Sequence, residues 1–345
     1  MQNSPPTAVW DELEAWERQD SDRMAAFGID PNHIQTVVRQ RATVFQQVYP
    51  AFSQWCNAHL GHPDAHLSTL WSLWLPLAQQ LVERRQAIAR PWIQGILGGQ
   101  GTGKTTLSKI LTLILQELGY KALAWSLDDL YKTYRDRLQL QQQDPQLIWR
   151  GPPGTHDVEL GIQVLDQLRQ PIPNQPIFIP RFDKSLHNGI GDRIAPEPVE
   201  NIDIVLFEGW FVGVRPIDAT LAVSAKQRAF QHPLPPILTQ RDRAFAQTCN
   251  TRLQAYLPLW QRLDSLWVLY PPDYRLSLEW RKQAEHQMKA SGKPGMSDAD
   301  ITAFVEYFWK ALHPQLFMPP ALERADLTIQ IQADHSLGRV CRESE

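Results

Sequence analysis

Residues 98–105 read Gly98-Gly99-Gln100-Gly101-Thr102-Gly103-Lys104-Thr105. This run fits the pattern G-x-x-x-x-G-K-[ST], in which the backbone amides of a glycine-rich loop surround phosphate groups. Residues 92–97 before it are mostly apolar, as in a buried strand, and apolar side chains after it recur at helical spacing as far as Gly119. A glycine is common just past the end of a helix. The order of strand, glycine loop and helix therefore favours a phosphate-binding loop over a chance glycine-rich turn.

The chemistry of such a loop follows from its backbone. Glycines allow consecutive N–H groups to point inward, at the positive end of the following helix dipole. We expect Lys104 to reach the β- and γ-phosphates of ATP and the Thr105 hydroxyl to coordinate Mg²⁺. The predicted nucleotide-binding residues are Gly98, Gly99, Gln100, Gly101, Thr102, Gly103, Lys104, Thr105 and Thr106.

The composition is that of an ordinary globular protein. Among 345 residues, 34 are Lys or Arg, 37 are Asp or Glu, and 43% are hydrophobic. A formal charge of −3 without a basic run gives no electrostatic footprint for nucleic acid or an acidic membrane. The longest apolar run, residues 70–78, is interrupted by Ser72 and Pro76 and is far too short to span a bilayer. We therefore expect a small-molecule substrate, with neither nucleic acid nor a membrane as a partner.

The N-terminal residues and the cysteines give indications of the cellular compartment. The first twenty residues carry several acidic side chains and lack the basic-then-apolar plan of a secretory signal. Cys56, Cys249 and Cys341 are odd in number and widely spaced, which indicates neither a disulfide framework nor a metal site. The sequence therefore predicts a cytoplasmic protein.

The chain divides by pattern into two regions. Residues 1–90 form amphipathic helical segments, the clearest of which has its apolar stripe on residues 67–82, and Arg90-Pro91 marks a boundary. We interpret residues 1–90 as an N-terminal helical extension, which either caps the core or binds a partner protein. Residues 91–345 are interpreted as the P-loop domain, with a lid-like helical segment at about 271–298.

Acidic side chains follow two predicted strands. Residues 121–127 read as a strand that ends in Asp128-Asp129, and residues 203–207 as a strand that ends in Glu208. Ligands collect at the carboxyl ends of parallel strands, so these carboxylates are expected beside the phosphate loop. Glu208 is placed to support Mg²⁺ or its water shell, whereas the aspartates serve an acceptor or only cap a turn. Further strands at residues 176–180, 265–270 and 325–333 favour a three-layer α/β/α fold with a mainly parallel sheet.

Cationic side chains lie in two loop regions. Residues 149–157 read Trp-Arg-Gly-Pro-Pro-Gly-Thr-His-Asp, and the two prolines and two glycines require a loop. Its His156 suits a surface or helix-cap position as well as a catalytic one. Around an Asn188-Gly189 turn, Arg181, Lys184 and Arg193 supply charge that would bind a carboxylate or phosphate, or only face solvent on a hairpin.

Together these blocks resemble the phosphoribulokinase/uridine kinase group of P-loop kinases, and within it the D-glycerate 3-kinases of plant and cyanobacterial type. The resemblance covers about residues 90–320. It is carried by residues 98–106, 126–131, 150–157, 180–185, 191–193, 208–210, 279–281 with Glu285, and 295–298. The Arg-Gly-x-x-Gly-x-His-Asp and Pro-Arg-Phe-Asp-Lys-Ser blocks are more specific than the glycine loop. Leu130 replaces the phenylalanine usual in the Asp-Asp-Phe-Tyr form, which leaves the carboxylates in place.

The resemblance implies transfer of the ATP γ-phosphate to the 3-hydroxyl of D-glycerate, a step of photorespiratory carbon salvage in phototrophs. Asp128 matches the acceptor-site aspartate of the family and is expected to orient the hydroxyl and accept its proton, with Lys104 as the second catalytic residue. The expected substrate-binding residues are Asp128, Arg150, His156, Asp157, Arg181, Asp183, Lys184 and Arg193. Arg275 and Arg281 are expected on a lid, and Thr105, Glu208 and Asp129 near Mg²⁺.

Two other functions fit parts of the sequence. The same fold would serve another small acceptor such as a nucleoside or pantothenate, although clustered cations suit an anion better than a neutral nucleoside. A nucleotide-dependent switch is the second alternative, and the base-reading Asn-Lys-x-Asp pattern of GTPases is absent from the sequence.

Overall fold

The region before the first strand is helical. The computed structural model describes residues 6–62, 64–217, 230, 234–290, 292 and 295–342. Helices α1 to α5 are Thr7–Arg18, Ser21–Ala26, Ile34–Leu60, Leu67–Thr69 and Leu75–Gln86. A π-helical stretch, Leu70–Trp74, joins α4 to α5. Within the predicted stripe, Leu70, Trp74 and Leu81 are buried.

The strands of the described chain form one large sheet and one hairpin. They are β1 (Trp92–Gly98), β2 (Ala122–Ser126), β3 (Ile177–Asp183), β4 (Asp192–Val199), β5 (Ile204–Gly209), β6 (Ser265–Tyr270), β7 (Leu327–Ile331) and β8 (Leu337–Cys341). The six-stranded sheet has the order β2-β5-β1-β6-β7-β8, and all its pairs are parallel except β7 with β8. Strands β3 and β4 pair with each other as an antiparallel hairpin outside this sheet.

The register brings three strand ends together. Glu208 on β5 stands opposite Ile96 of β1 on one side and Ser126 of β2 on the other. The segments that follow β1, β2 and β5 therefore leave the sheet side by side. This edge carries the glycine loop, the Asp128-Asp129 pair and Glu208.

Helices cover both faces of the sheet. The remaining helices are α6 (Lys104–Glu117), α7 (Tyr134–Gln143), α8 (Val158–Arg169), α9 (Gln240–Arg252), α10 (Leu257–Trp260), α11 (Leu276–Ala290), α12 (Asp298–Ala311) and α13 (Pro314–Leu322). Helix α6 lies on one face, while α8, α9, α10, α12 and α13 pack into the core on the other. The predicted three-layer α/β/α fold is confirmed. Strand β8 was not predicted, because a five-residue edge strand has little pattern of its own and depends on pairing with β7.

The N-terminal helices share the core of the α6 face. Val48 and Phe52 of α3 are fully buried in the same cluster as Leu107 and Ile110 of α6. A buried ion pair, Arg41 Nη1 to Glu17 Oε2 at 2.6 Å, ties α3 to α1. The division at residue 90 stays a prediction. None of the helices in the described part of the chain combines the length and apolar character needed to cross a bilayer.

Candidate active site

The glycine loop bends between β1 and α6 as its sequence predicts. Gly101 and Gly103 have φ angles of 80° and 82°, in the region that side chains rarely adopt. A Cβ at position 101 would lie 2.7 Å from the Cβ of Trp280, so α11 already packs on the loop. Lys104 Nζ donates to the carbonyl of Gly99 at 3.3 Å, which keeps the ammonium within the loop.

The two aspartates after β2 have different surroundings. They lie on a short 3₁₀ helix, Leu127–Leu130, whose first turn is capped by Ser126. Asp129 accepts hydrogen bonds from the Ser126 amide, the Phe182 amide at 3.1 Å and Arg181 Nη1 at 3.0 Å. It therefore joins β2 to the β3–β4 hairpin, and its oxygens are engaged by protein groups. The sequence predicts Asp129 near the metal, but these bonds turn its carboxylate toward the hairpin.

Asp128, by contrast, faces open space beside the glycine loop. Its Oδ1 accepts from the Tyr131 hydroxyl at 2.8 Å and its Oδ2 from Lys184 Nζ at 2.7 Å. Burial would raise the pKa of Asp128, but the Lys184 ammonium and the hydrogen bonds from Lys184 and Tyr131 outweigh it and lower the pKa. Asp128 is therefore a carboxylate at neutral pH, able to accept a hydrogen bond from an alcohol.

Glu208 lies at the end of β5 against the glycine loop. Thr105 Oγ1 donates to its Oε1 at 3.0 Å, while Oε2 is buried and has no partner among the described residues. Burial, together with the charge of Asp128, raises the pKa of Glu208 above its ordinary value. A buried carboxylate oxygen without a donor, beside the threonine of a phosphate loop, suits a hydrated divalent cation.

These groups line one cleft of about 750 Å³. It runs from Gly101, Lys104 and Thr105 of the glycine loop to Asp128 and Lys184. Its other walls include acidic, basic and aromatic side chains: Asp129, Glu208, Arg150, Arg281, Tyr131, Trp149, Phe182, Trp210, Trp280, Phe304 and Phe308. The cleft has room for a nucleotide tail and a small acceptor, and seven of its 22 lining residues are aromatic.

Two of the predicted clamp residues lie in this cleft. Lys184 is held by Asp128 and is 60% exposed along its side chain. Arg150 donates through Nη1 to the carbonyls of Gly189 and Ile190, both at 2.8 Å, and thereby holds the hairpin turn over the cleft. Its guanidinium lies 5.7 Å from the ring centroid of Phe182. Lys184 and Arg150 are the two predicted clamp residues that line the cleft.

Four of the predicted substrate residues have structural partners elsewhere. Arg181 pairs with Asp129 and Glu197, and Arg193 donates to the Tyr131 carbonyl at 2.8 Å and pairs with Asp157 at 3.0 Å. Asp157 is the N-cap of α8, with its carboxylate on the Leu160 amide. Asp183 accepts from the amide and hydroxyl of Ser185. The structure does not bring Arg181, Arg193, Asp157 or Asp183 to the cleft lining, since each is engaged within the hairpin or at a helix end.

His156 is buried behind the cleft. It is 2% exposed, and its Nδ1 lies 2.8 Å from the Tyr256 hydroxyl. Burial lowers the pKa of His156 to about 3, so the ring is neutral. Its ring stacks on Tyr131 with centroids 4.6 Å apart. The family resemblance places His156 at the substrate, but the structure makes it the support of a residue that contacts Asp128.

The predicted lid, at about residues 271–298, corresponds to helix α11 and the residues on either side of it. Arg281 on α11 lines the cleft and pairs with Glu285 at 3.0 Å. Arg275, just before α11, is exposed, pairs with Asp273 at 3.3 Å and does not line the cleft. Residues 291, 293 and 294 of the predicted lid lie outside the described residues.

Sequence reasoning missed the aromatic members of the site. Tyr131 belongs to residues 126–131, which carry the family resemblance, but the sequence analysis gave it no role, although its hydroxyl contacts Asp128. No local signal pointed to this contact, because Tyr131 is the C-cap of a short 3₁₀ helix that the sequence does not predict. Trp280, which covers Gly101, had no local signal either.

The chain is similar to known kinases. No family model matches it. It is 33% identical over 228 residues to an uncharacterised kinase of Schizosaccharomyces pombe, and the alignment covers 64% of this chain and 79% of the relative. It is 26% identical over 344 residues to the chloroplastic D-glycerate 3-kinase of Arabidopsis thaliana, covering 95% and 67% of the two chains. The solved D-glycerate 3-kinase of Cryptococcus neoformans matches with a TM-score of 0.67 and 28% identity, over 77% of this chain and 96% of that one.

A mainly parallel sheet with a glycine loop after its first strand and carboxylates at the neighbouring strand ends is the arrangement of P-loop nucleotide-binding proteins. The named relatives narrow this class to the P-loop kinases, phosphotransferases that use ATP and an alcohol acceptor. The similarities give the particular group. The chain belongs to the plant-type D-glycerate 3-kinase family, within the phosphoribulokinase/uridine kinase group of P-loop kinases.

Proposed function

We propose that the protein transfers the γ-phosphate of ATP to the 3-hydroxyl of D-glycerate, giving 3-phospho-D-glycerate. The observation that carries this proposal is the cleft in which Lys104, Asp128 and Lys184 all stand. It puts a phosphate-binding loop, a carboxylate and a cation around one space, as phosphorylation of a small anionic alcohol requires. The named relatives support D-glycerate as the acceptor.

The nucleotide is bound by the glycine loop and the start of α6. Backbone amides and the helix dipole favour the triphosphate, and Lys104 shifts from the Gly99 carbonyl to the phosphates. The residues fit Mg²⁺: Thr105 and Glu208 would hold it, the partner-free Oε2 of Glu208 being the atom that needs a cation or its water. Mg²⁺ neutralises charge on the phosphate oxygens when bound. Two protein ligands suffice, because Mg²⁺ retains waters and binds phosphate oxygens.

Asp128 acts on the acceptor hydroxyl. Because its pKa is lowered, it is ionised and accepts the hydrogen bond of the alcohol, which aims the alcohol oxygen at the γ-phosphate. A carboxylate of low pKa is a weak base, but phosphoryl transfer has a loose transition state and depends mainly on alignment and charge. Asp128 therefore orients first and takes the proton as the new O–P bond forms.

The carboxylate of glycerate needs a cation. Lys184 and Arg150 line the cleft, and Lys184 carries a flexible, largely exposed stem that lets its ammonium follow an incoming anion. The aromatic walls, with Trp280 and Arg281 on α11, keep water away from the γ-phosphate and limit hydrolysis. A reducing, cytoplasmic setting belongs to this proposal, since the three cysteines are unpaired.

The test is ATP-dependent phosphorylation of D-glycerate, followed by an enzyme specific for 3-phosphoglycerate. We expect ADP release that depends on D-glycerate, with the product detected by the coupling enzyme, and no activity in Lys104→Ala. Uridine and pantothenate are run in parallel as acceptors. ADP release only with one of those would assign a different acceptor, and slow hydrolysis insensitive to all acceptors would instead indicate a nucleotide-dependent switch.

A further inference from the structure

Tyr131 is the buried neighbour of the acceptor-site carboxylate. Its side chain is 3% exposed, and its hydroxyl donates to Asp128 Oδ1 at 2.8 Å. Burial and the charge of Asp128 raise the pKa of Tyr131 well above its ordinary value. The phenol therefore stays protonated at every working pH and acts toward Asp128 as a donor.

The position of the Tyr131 ring is fixed from several sides. The ring stacks on the neutral His156, and the Phe182 ring meets it edge-on at 5.1 Å between centroids. His156 is fixed in turn by Tyr256, whose hydroxyl also accepts from the Gly154 amide at 2.9 Å. The backbone beside it is tied down as well, by Lys132 N to Thr155 O at 3.0 Å and Asp157 N to Leu130 O at 2.7 Å. A side chain confined in this way holds its hydroxyl at one point.

The second oxygen of Asp128 has a partner of a different kind. Oδ2 is paired with Lys184, whose side chain is 60% exposed and rotates on a four-carbon stem. One oxygen thus has a fixed, neutral donor, and the other has a mobile, charged one. Only the bond to Lys184 can be exchanged for a bond to a substrate without moving the core.

We propose that Tyr131 is a positioning residue that holds Asp128 by Oδ1 and so presents Oδ2 to the acceptor hydroxyl. Lys184 marks the place on Oδ2 that the acceptor takes, and its ammonium moves with the anionic part of the acceptor. This inference rests on the proposed kinase reaction at this cleft, but it does not depend on which alcohol is the acceptor. Tyr131 does not touch the reacting atoms and acts through Asp128.

The first test needs no substrate. Thermal unfolding midpoints are measured for the full chain, for Tyr131→Phe, for Asp128→Ala and for the double variant. The expected result is non-additivity: removal of the hydroxyl lowers the midpoint in the parent chain and lowers it distinctly less when the carboxylate has already gone. Additive shifts would overturn the inference, because they would mean that the hydroxyl does not engage Asp128.

The second test uses turnover in the same four proteins. Tyr131→Phe should lower kcat on the order of tenfold, the usual effect of losing a hydrogen bond to a charged group, with the KM for ATP within about twofold of the parent. In the Asp128→Ala background the same change should cost less than about twofold. A full tenfold loss in that background would show that Tyr131 acts by another route and would overturn the inference.

Tyr307→Phe is the matched control. Tyr307 is also a buried tyrosine, but its hydroxyl donates to the carbonyls of Gln146 and Trp149 and has no contact with Asp128. Its effects should be equal in both backgrounds. If the parent chain does not phosphorylate D-glycerate, the proposed acceptor is wrong. The kinetic cycle is then run with uridine or pantothenate, whichever of the two the parent chain phosphorylates. The unfolding cycle measures the coupling between Tyr131 and Asp128 in either case.

Discussion

The hydroxyl of Thr105 donates to one oxygen of Glu208 at 3.0 Å, and the other oxygen of that carboxylate is buried without a partner in the described chain. A buried anion with an unmet oxygen destabilises the empty protein. Such a destabilisation is expected at a site that binds a cation, because the bound cation gives the same oxygen a partner of opposite charge.

Glu208→Gln is therefore expected to raise stability and lower activity. The pKa of Glu208 is raised by burial, so the folded state binds the proton more tightly than the unfolded state, and stability falls as pH rises above the ordinary glutamate value of 4.5. The stability gain of the variant should thus be present at pH 7 and vanish below pH 4.5, where both states are protonated. Unfolding midpoints across this range measure it.

The same variant should need more Mg²⁺. We expect half-maximal turnover at a Mg²⁺ concentration raised by about tenfold or more, because mutation of even the outer partners of a metal ligand commonly costs that much. Glu200→Gln, on an exposed residue far from the glycine loop in sequence, is the control and should match the parent. An unchanged Mg²⁺ requirement in Glu208→Gln would remove Glu208 from the metal site.

Asp128→Asn tests the acceptor-site carboxylate. The amide keeps the shape of the side chain but attracts the alcohol and its proton less, so turnover should fall by about 10²- to 10⁴-fold. ATP affinity should stay within about twofold, because the nucleotide is bound by the glycine loop. Direct nucleotide titration and steady-state rates measure the two effects, and near-normal turnover would contradict the role.

Lys184→Ala should act mainly on the acceptor. Removing the cation that lines the cleft is expected to raise the KM for D-glycerate by about tenfold or more, as a lost charged hydrogen bond does, with little change for ATP. Arg275→Ala is the matched control, since Arg275 is a cation outside the cleft. Equal KM values for D-glycerate in both variants would rule out Lys184 as the carboxylate ligand.

Arg181→Ala is expected to act on stability. It leaves the largely buried Asp129 with only its two amide donors, and loss of a hydrogen bond to a charged group costs about 1.5–3 kcal/mol. The KM for D-glycerate should change much less than in Lys184→Ala, and Arg181→Lys should restore part of the stability. Denaturant unfolding and steady-state kinetics give both numbers, and a large KM change in a stable Arg181→Ala protein would return Arg181 to the substrate site.

The sequence predicted the parts of the site that local pattern determines. The glycine loop, the strand ahead of it and the acidic residues at the ends of β2 and β5 are each written in a few consecutive residues. The residues that pair with the cations cannot be identified from consecutive residues, because the pairs depend on how the β3–β4 hairpin folds back toward β2. Arg181 meets Asp129 across 52 positions, and Arg193 meets Asp157 across 36, so sequence alone left all the cations as equal candidates.

The packing of Trp280 on Gly101 bears on protein engineering. Because Trp280 fills the space that any larger residue at 101 would need, Gly101 cannot be exchanged while α11 keeps this position. Attempts to broaden the range of alcohols should leave this contact alone and vary the turn that Arg150 holds through its hydrogen bonds to the Gly189 and Ile190 carbonyls.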